Sequence, residues 1–114
     1  MQRQAKDKLI LNVDDTDAAR YAKSRILSRA GFEVIEAASG VEALQRAAAD
    51  MPALILLDTR LPDINGFEVC RQLKEAENTR HILILQTSAS FIGITDKVRA
   101  LQTGADNYLF EPIE

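Results

Sequence analysis

Hydrophobic and polar positions form two alternating kinds of segment along the chain. Short apolar runs predict five strands, at residues 9–13, 32–37, 53–57, 82–86 and 107–110. Between them, apolar residues recur at intervals of three and four, which is typical of amphipathic helices. The run from Ala53 to Leu57 is uninterrupted, as expected for a strand covered on both faces. The alternation predicts an α/β domain with a parallel sheet and right-handed crossovers.

Four helices are predicted between these strands. Helix one follows Thr16 and ends at Gly31, while Ser39 and Glu42, three residues apart, form a capping box that begins helix two. The predicted apolar stripes are Ala19, Ala22, Ile26 and Ala30 in helix one; Val41, Leu44 and Ala48 in helix two; Phe67, Cys70 and Leu73 in helix three; and Phe91, Ile94, Val98 and Leu101 in helix four, before Gly104. A solvated face is predicted for the charged residues Arg71, Lys74, Glu75 and Glu77.

Composition narrows the possible functions. The chain has 114 residues, 46% of them hydrophobic and 27% charged, which fits one globular domain. Its net charge of -3 supplies no basic surface for nucleic acid. No apolar run approaches the roughly 20 residues of a membrane span, and the first residues lack the apolar core of a signal peptide, so we expect a cytoplasmic protein. Cys70 and His81, each the single residue of its type, are too few for a structural zinc site.

The predicted pattern stops at the fifth strand. Helices cover both faces of an open parallel sheet, and no helix follows residue 110. We therefore expect one domain over residues 1–114 that lacks its final helix, as part of a longer protein.

Three carboxylates follow the ends of predicted strands. Asp14 and Asp15 follow strand one, and Asp58 follows strand three. Ligands of open α/β sheets bind beyond the carboxyl ends of the strands, so the three side chains share one crevice if these strands are neighbours. Their mutual repulsion favours a cation, and hard oxygen ligands suit Mg²⁺. Such a site is suited to phosphoryl transfer onto a carboxylate.

These residues resemble the receiver domain of two-component response regulators. The likeness covers the whole chain, and it includes the segment LLDTRLPDINGFEVCRQLK, QTSAS after strand four and GADNYLFEP around strand five. It implies a flavodoxin-like, doubly wound fold with strand order 2-1-3-4-5. It also implies that Asp58 accepts the phosphoryl group and that Asp14, Asp15, Asp58 and the backbone carbonyl of Arg60 hold Mg²⁺. Ser88 corresponds to the hydroxyl that binds the phosphoryl group, with Thr87 as a competitor, and Tyr108 to the aromatic switch position.

The resemblance implies a phosphorelay function. A sensor histidine kinase or a phosphotransfer domain would donate the phosphoryl group, and the domain would catalyse its own phosphorylation and dephosphorylation. An output domain, in the same chain or another protein, would respond to the switched face. The parent protein is either a stand-alone regulator or a hybrid histidine kinase.

One residue departs from the family pattern. The family has a lysine immediately before the proline that follows strand five, whereas this chain has Glu111 before Pro112. We hypothesise that Arg60 supplies part of the missing positive charge. The alternative is a pseudo-receiver that binds a protein partner without phosphorylation, and a small aspartyl-phosphate phosphatase is a third reading.

Overall fold

Five parallel strands form the single sheet of the protein, whose computed structural model describes residues 6–88, 102 and 104–110. The strands are β1 (Lys6–Val13), β2 (Glu33–Ala37), β3 (Pro52–Asp58), β4 (Leu83–Ser88) and β5 (Asn107–Phe110), and the helices are α1 (Asp17–Arg29), α2 (Gly40–Asp50) and α3 (Gly66–Glu75). The strand order is β2-β1-β3-β4-β5. The predicted flavodoxin-like fold and its strand order are confirmed. The predicted fourth helix lies outside the described residues.

The order of the strands positions two chain segments at the centre of one sheet edge. From β1 the chain passes to β2 on one side and returns to β3 on the other, so the direction of winding reverses between β1 and β3. Val13 lies opposite Leu57 in the register of these two strands. The residues that follow, Asp14 and Asp58, consequently emerge together at the point where open α/β sheets bind ligands.

Local capping signals delimit the helices as predicted. The Ser39 hydroxyl accepts a hydrogen bond from the Glu42 amide at 3.2 Å, and the Glu42 carboxylate accepts one from the Ala38 amide at 2.7 Å. These bonds satisfy amide donors that a helix N-terminus leaves unpaired. Gly31 has a φ of 98° directly after α1, a left-handed conformation that favours glycine and ends the helix.

The core lies between the central strands and the helices α2 and α3. Its fully enclosed members include Leu11, Val13, Ile55, Leu57 and Ile84. The predicted helix-three stripe of Phe67, Cys70 and Leu73 is buried, as expected. In α2 the buried residues are Gly40, Ala43 and Ala47; of the predicted stripe, Leu44 packs against the core, whereas Val41 and Ala48 are exposed. Small side chains face the core because α2 contacts both β1 and α3 closely.

The predicted buried face of α1 is wrong. Ala22, Ile26 and Ala30 are exposed, whereas Lys23 is only 6% exposed. The helix is rotated so that its polar side chains bond to the neighbouring strands: Ser24 Oγ accepts a hydrogen bond from the Asn12 amide group at 3.0 Å, and Arg20 Nε lies 3.0 Å from a Glu36 carboxylate oxygen. Specific polar contacts at the strand ends thus determine which face of α1 is covered.

Among the described helices, none combines the length and apolarity that crossing a membrane requires.

The predicted solvated face of α3 holds for three of its four residues. Arg71, Glu75 and Glu77 are exposed. Lys74 instead donates from Nζ to the Ile82 carbonyl at 2.7 Å and pairs with Asp106 at 3.1 Å. Asp106 also accepts a hydrogen bond from the Ile84 amide at 2.8 Å. Lys74 therefore ties α3 to β4 and to the start of β5.

Candidate functional site

The acidic residues predicted to share a crevice do lie together. Asp14, Asp15 and Asp58 each offer a carboxylate oxygen, and these oxygens lie within 4.8 Å of one another. Asp14 is 2% exposed and Asp58 8% exposed, while Asp15 is open to solvent. The cluster is thus buried on the sheet side and accessible from outside.

Asp14 is held in position by a backbone amide just before α1 and by two cationic side chains of α1. The Thr16 amide donates to its Oδ1 at 2.9 Å. Lys23 Nζ lies 2.7 Å from its Oδ2, and both side chains of this ion pair are at least nine-tenths buried. The Arg20 guanidinium donates to the Asp14 backbone carbonyl at 2.8 Å. The carboxylate therefore has a fixed orientation toward the cluster.

Asp58 ends β3 and is supported by the loop that follows. Its Oδ1 accepts a hydrogen bond from the Arg60 amide at 3.1 Å. The Gly66 amide donates to the Thr59 carbonyl at 2.9 Å, which brings the first residue of α3 against the strand end. A Cβ atom on Gly66 would lie 2.1 Å from the Asp58 carbonyl oxygen, so this approach requires a glycine.

The rest of that loop is tied to the N-terminus of α2. The Asp63 carboxylate accepts hydrogen bonds from the Val41 amide at 2.9 Å and from the Gly40 amide at 2.7 Å. These two backbone donors lower the pKa of Asp63 below its ordinary value of 3.8 because they stabilise the charged form. On the next helix, hydrogen bonds from Arg71 lower the pKa of Glu68 to about 2.

The remaining predicted site residues are placed as follows. Ser88 is the last residue of β4 and is 2% exposed. Thr87 lies opposite Asp58 in the register and is fully buried, and its hydroxyl has no hydrogen-bond partner within the described part of the chain. The Arg60 side chain is exposed. The backbone of Tyr108 pairs with Gln86, and its side chain, like the whole of Glu111, lies outside the described residues.

The donor set fits a hard divalent cation. Ligand oxygens in octahedral Mg²⁺ coordination lie roughly 3 to 4 Å apart, which is compatible with three carboxylate oxygens inside 4.8 Å. The exposure of Asp15 leaves one side of the cluster open for water ligands, which Mg²⁺ usually retains.

Two residues of the site were missed in the sequence. Lys23 is not among the residues predicted for the buried face of helix one, although it follows Ala19 by four residues and so continues the same face. Gly66 is not predicted as a site residue either, although its place at the start of a helix, where glycine is a weak choice, is a signal of a close backbone approach.

Comparisons with known proteins agree on one family. The family model for the response regulator receiver domain matches residues 10–114. The response regulator PleD of Caulobacter vibrioides is 40% identical over 105 residues, which cover 92% of this chain and 23% of PleD. The chain thus spans only about a quarter of that relative.

Two solved structures have the same fold. The receiver domain of the sensor histidine kinase PA1611 from Pseudomonas aeruginosa, crystallised with a magnesium ion in its active site cleft, superposes with a TM-score of 0.85 at 28% identity, over 96% of this chain and 88% of that one. A response regulator from Burkholderia pseudomallei, with a phosphorylated aspartic acid and a calcium ion, also gives 0.85, at 30% identity, over 95% of this chain and 62% of that one.

Proposed function

This chain belongs to the response regulator receiver domain family of two-component signalling, and we propose that it accepts a phosphoryl group on Asp58 with the help of Mg²⁺. The observation that carries the proposal is the convergence of Asp14, Asp15 and Asp58 within 4.8 Å. The two solved relatives, one with magnesium and one with a phosphorylated aspartate, support it. We take residues 1–114 as one receiver domain.

The proposed reaction uses an oxygen of Asp58 as the nucleophile. This oxygen bonds to phosphorus while the bond from phosphorus to the imidazole nitrogen of a donor phosphohistidine breaks, and the bonding electrons stay on that nitrogen. Mg²⁺, when bound, neutralises charge on the phosphoryl oxygens. The single histidine of this chain, His81, lies in the exposed turn before β4 and is not the proposed donor. The donor phosphohistidine therefore belongs to a histidine kinase or a phosphotransfer domain.

Each site residue has a defined task in this proposal. Asp14 and Asp15 hold the cation, together with Asp58 and the backbone carbonyl of Arg60. The Arg60 amide, which already donates to Asp58, fixes the rotamer of the acceptor. Ser88, at the buried end of the adjacent strand β4, donates to the transferred group.

The response to phosphorylation is proposed to pass through the edge formed by β4 and β5. Tyr108 pairs through its backbone with the fully buried Gln86 on β4, next to the strand end that carries Ser88. A rearrangement at Ser88 would therefore alter the position of the neighbouring strand β5, where a partner or an output domain could bind.

Intact mass spectrometry tests the phosphoryl transfer. We expect the chain, incubated with Mg²⁺ and acetyl phosphate, to gain one phosphoryl group, and the Asp58→Asn variant to gain none. The same comparison with a histidine kinase as donor covers a slow reaction with the small molecule. If neither donor yields an adduct on a chain that binds Mg²⁺, phosphoryl transfer is refuted.

A second candidate function is phosphorylation-independent binding of a protein partner. It is favoured by Glu111, an anion at the position where the family pattern has a cation. This candidate predicts that Asp58→Asn leaves partner binding unchanged, whereas the phosphoryl-acceptor proposal predicts that phosphorylation alters it.

A further inference from the structure

The charge at the site raises the question of which side chain balances it. The three carboxylates carry three negative charges, and an aspartyl phosphate on Asp58 would replace one of them by about two. A bound Mg²⁺ supplies two positive charges. A further cation close to the cluster is therefore required for near-neutrality in this partly buried setting, where unbalanced charge is costly.

Within the part of the chain that the structure describes, few candidate cations lie in the segments that follow the carboxyl ends of the strands. By sequence alone, residues 107–114 include neither lysine nor arginine. After β3 the candidate is Arg60, whose side chain is exposed. After β1 the candidates are Arg20 and Lys23, both on α1.

The contacts of these cations differ. Arg20 directs its guanidinium to Glu36 at 3.0 Å and to Asp17 at 2.7 Å, and it reaches only the backbone carbonyl of Asp14. Lys23 places Nζ 2.7 Å from the Asp14 carboxylate, with its side chain 8% exposed. Its stem lines a small apolar hollow with Ile26, Leu27 and Leu56, which directs the ammonium toward the strand end.

We propose that Lys23 is a positioning residue for phosphoryl transfer: its ammonium, brought from α1 to the Asp14 side of the acidic cluster, supplies positive charge that residues 107–114 do not contain. The inference rests on the proposed function of Asp58. The ammonium orients Asp14 and offsets the negative charge that accumulates when the phosphoryl group arrives. It also competes with Mg²⁺ for the same carboxylate, since both are cations bound to Asp14.

The test compares Lys23→Met with the wild type in two measurements. The methionine retains the apolar stem and removes the charge. We expect the rate of phosphorylation at saturating Mg²⁺ to fall by roughly ten- to a hundredfold, the range that a charge-assisted hydrogen bond represents. We expect Mg²⁺ affinity, measured by calorimetry, to rise, because a competing cation is gone. A side chain that only stabilised the fold would not give these opposite changes.

Three further variants complete the design. Lys23→Arg retains the charge and should keep phosphorylation within about tenfold of the wild type. Arg25→Met removes an exposed cation of the same helix, whose contacts are with Tyr21, and should change neither quantity. Arg60→Ala tests the rival cation: if it loses phosphorylation while Lys23→Met does not, the assignment to Lys23 is overturned.

The two proposals fail in different ways. If the wild type is phosphorylated and Lys23→Met matches its rate, the role of Lys23 is refuted while Asp58 keeps its function. If the wild type is not phosphorylated by either donor, the proposed function fails. The Mg²⁺ titration then still decides on Lys23, because an unchanged affinity in Lys23→Met would show that its charge does not act on the cluster.

Discussion

Replacing Gly66 by alanine should destabilise the protein although it increases helix propensity. Gly66 is the first residue of α3, after the N-cap Asn65. In a helix that tolerates a methyl group, glycine to alanine stabilises by up to about 1 kcal/mol. Here the new Cβ would lie 2.1 Å from the Asp58 carbonyl oxygen and 2.8 Å from the Thr59 Cα. Both are backbone atoms, which cannot rotate away.

The structure gives the approximate size of this effect. An ordinary carbon–oxygen contact is longer than 3 Å, so α3 or the end of β3 must move by about 1 Å. Overpacking of this kind costs roughly 1–3 kcal/mol, and the rigidity of the two backbone atoms favours the upper part of that range. After subtraction of the gain in propensity, we expect the free energy of unfolding to fall by about 2 kcal/mol.

A matched glycine supplies the control. Gly40 is the first residue of α2, and a Cβ there would meet Val69 Cγ2 at 3.0 Å, Ile64 Cβ at 3.1 Å and Asp63 Oδ1 at 3.2 Å, contacts that are about 1 Å longer than the 2.1 Å approach at Gly66. Urea denaturation of Gly66→Ala and Gly40→Ala should show the larger loss in Gly66→Ala. Mg²⁺ affinity should also fall in Gly66→Ala, since Asp58 is displaced. Equal stability of the two variants would refute the argument from the close backbone approach.

Three other predictions concern the core and the loops around the site. Leu57→Ala, at a fully buried position, should lower the free energy of unfolding by roughly 2–5 kcal/mol in urea denaturation, and a loss below about 1 kcal/mol would contradict its place in the core. Asp106→Ala removes the acceptor of the Ile84 amide and the anion paired with Lys74 and should cost roughly 1–3 kcal/mol, whereas an unchanged Tm would argue against this link. Because the pKa of Asp63 is lowered in the folded state, its stabilisation is complete above the ordinary value of 3.8 and is lost as the pH falls below it. As the pH falls through and below 3.8, the stability of the wild type should therefore fall more steeply than that of Asp63→Asn, and parallel curves would contradict the capping role.

The sequence by itself determined the alternation of strands and helices and the positions of Asp14 and Asp58 at strand ends, whereas the strand order entered only as an implication of the receiver resemblance. Runs such as 53–57 are short, uninterrupted and apolar, as expected for strands covered on both faces, and the alternation with helices restricts the topology through the handedness of crossovers. The positions of Asp14 and Asp58 directly after two such runs then place both at one sheet edge. Local signals sufficed for the helix ends as well, because Ser39, Glu42 and Gly31 act on their immediate neighbours.

The rotation of the helices and the surroundings of the cluster were decided only by the tertiary structure. An apolar stripe predicts a buried face when hydrophobic contact dominates, but α1 is oriented by polar contacts to residues far along the chain or at strand ends, such as Lys23 with Asp14. Lys74 is likewise withdrawn from solvent by Asp106, a residue distant in sequence. The close packing of Gly66 on Asp58 depends on how the loop returns to the sheet. Such contacts join residues that no local period relates, so they arise only once the sheet and helices have been assembled.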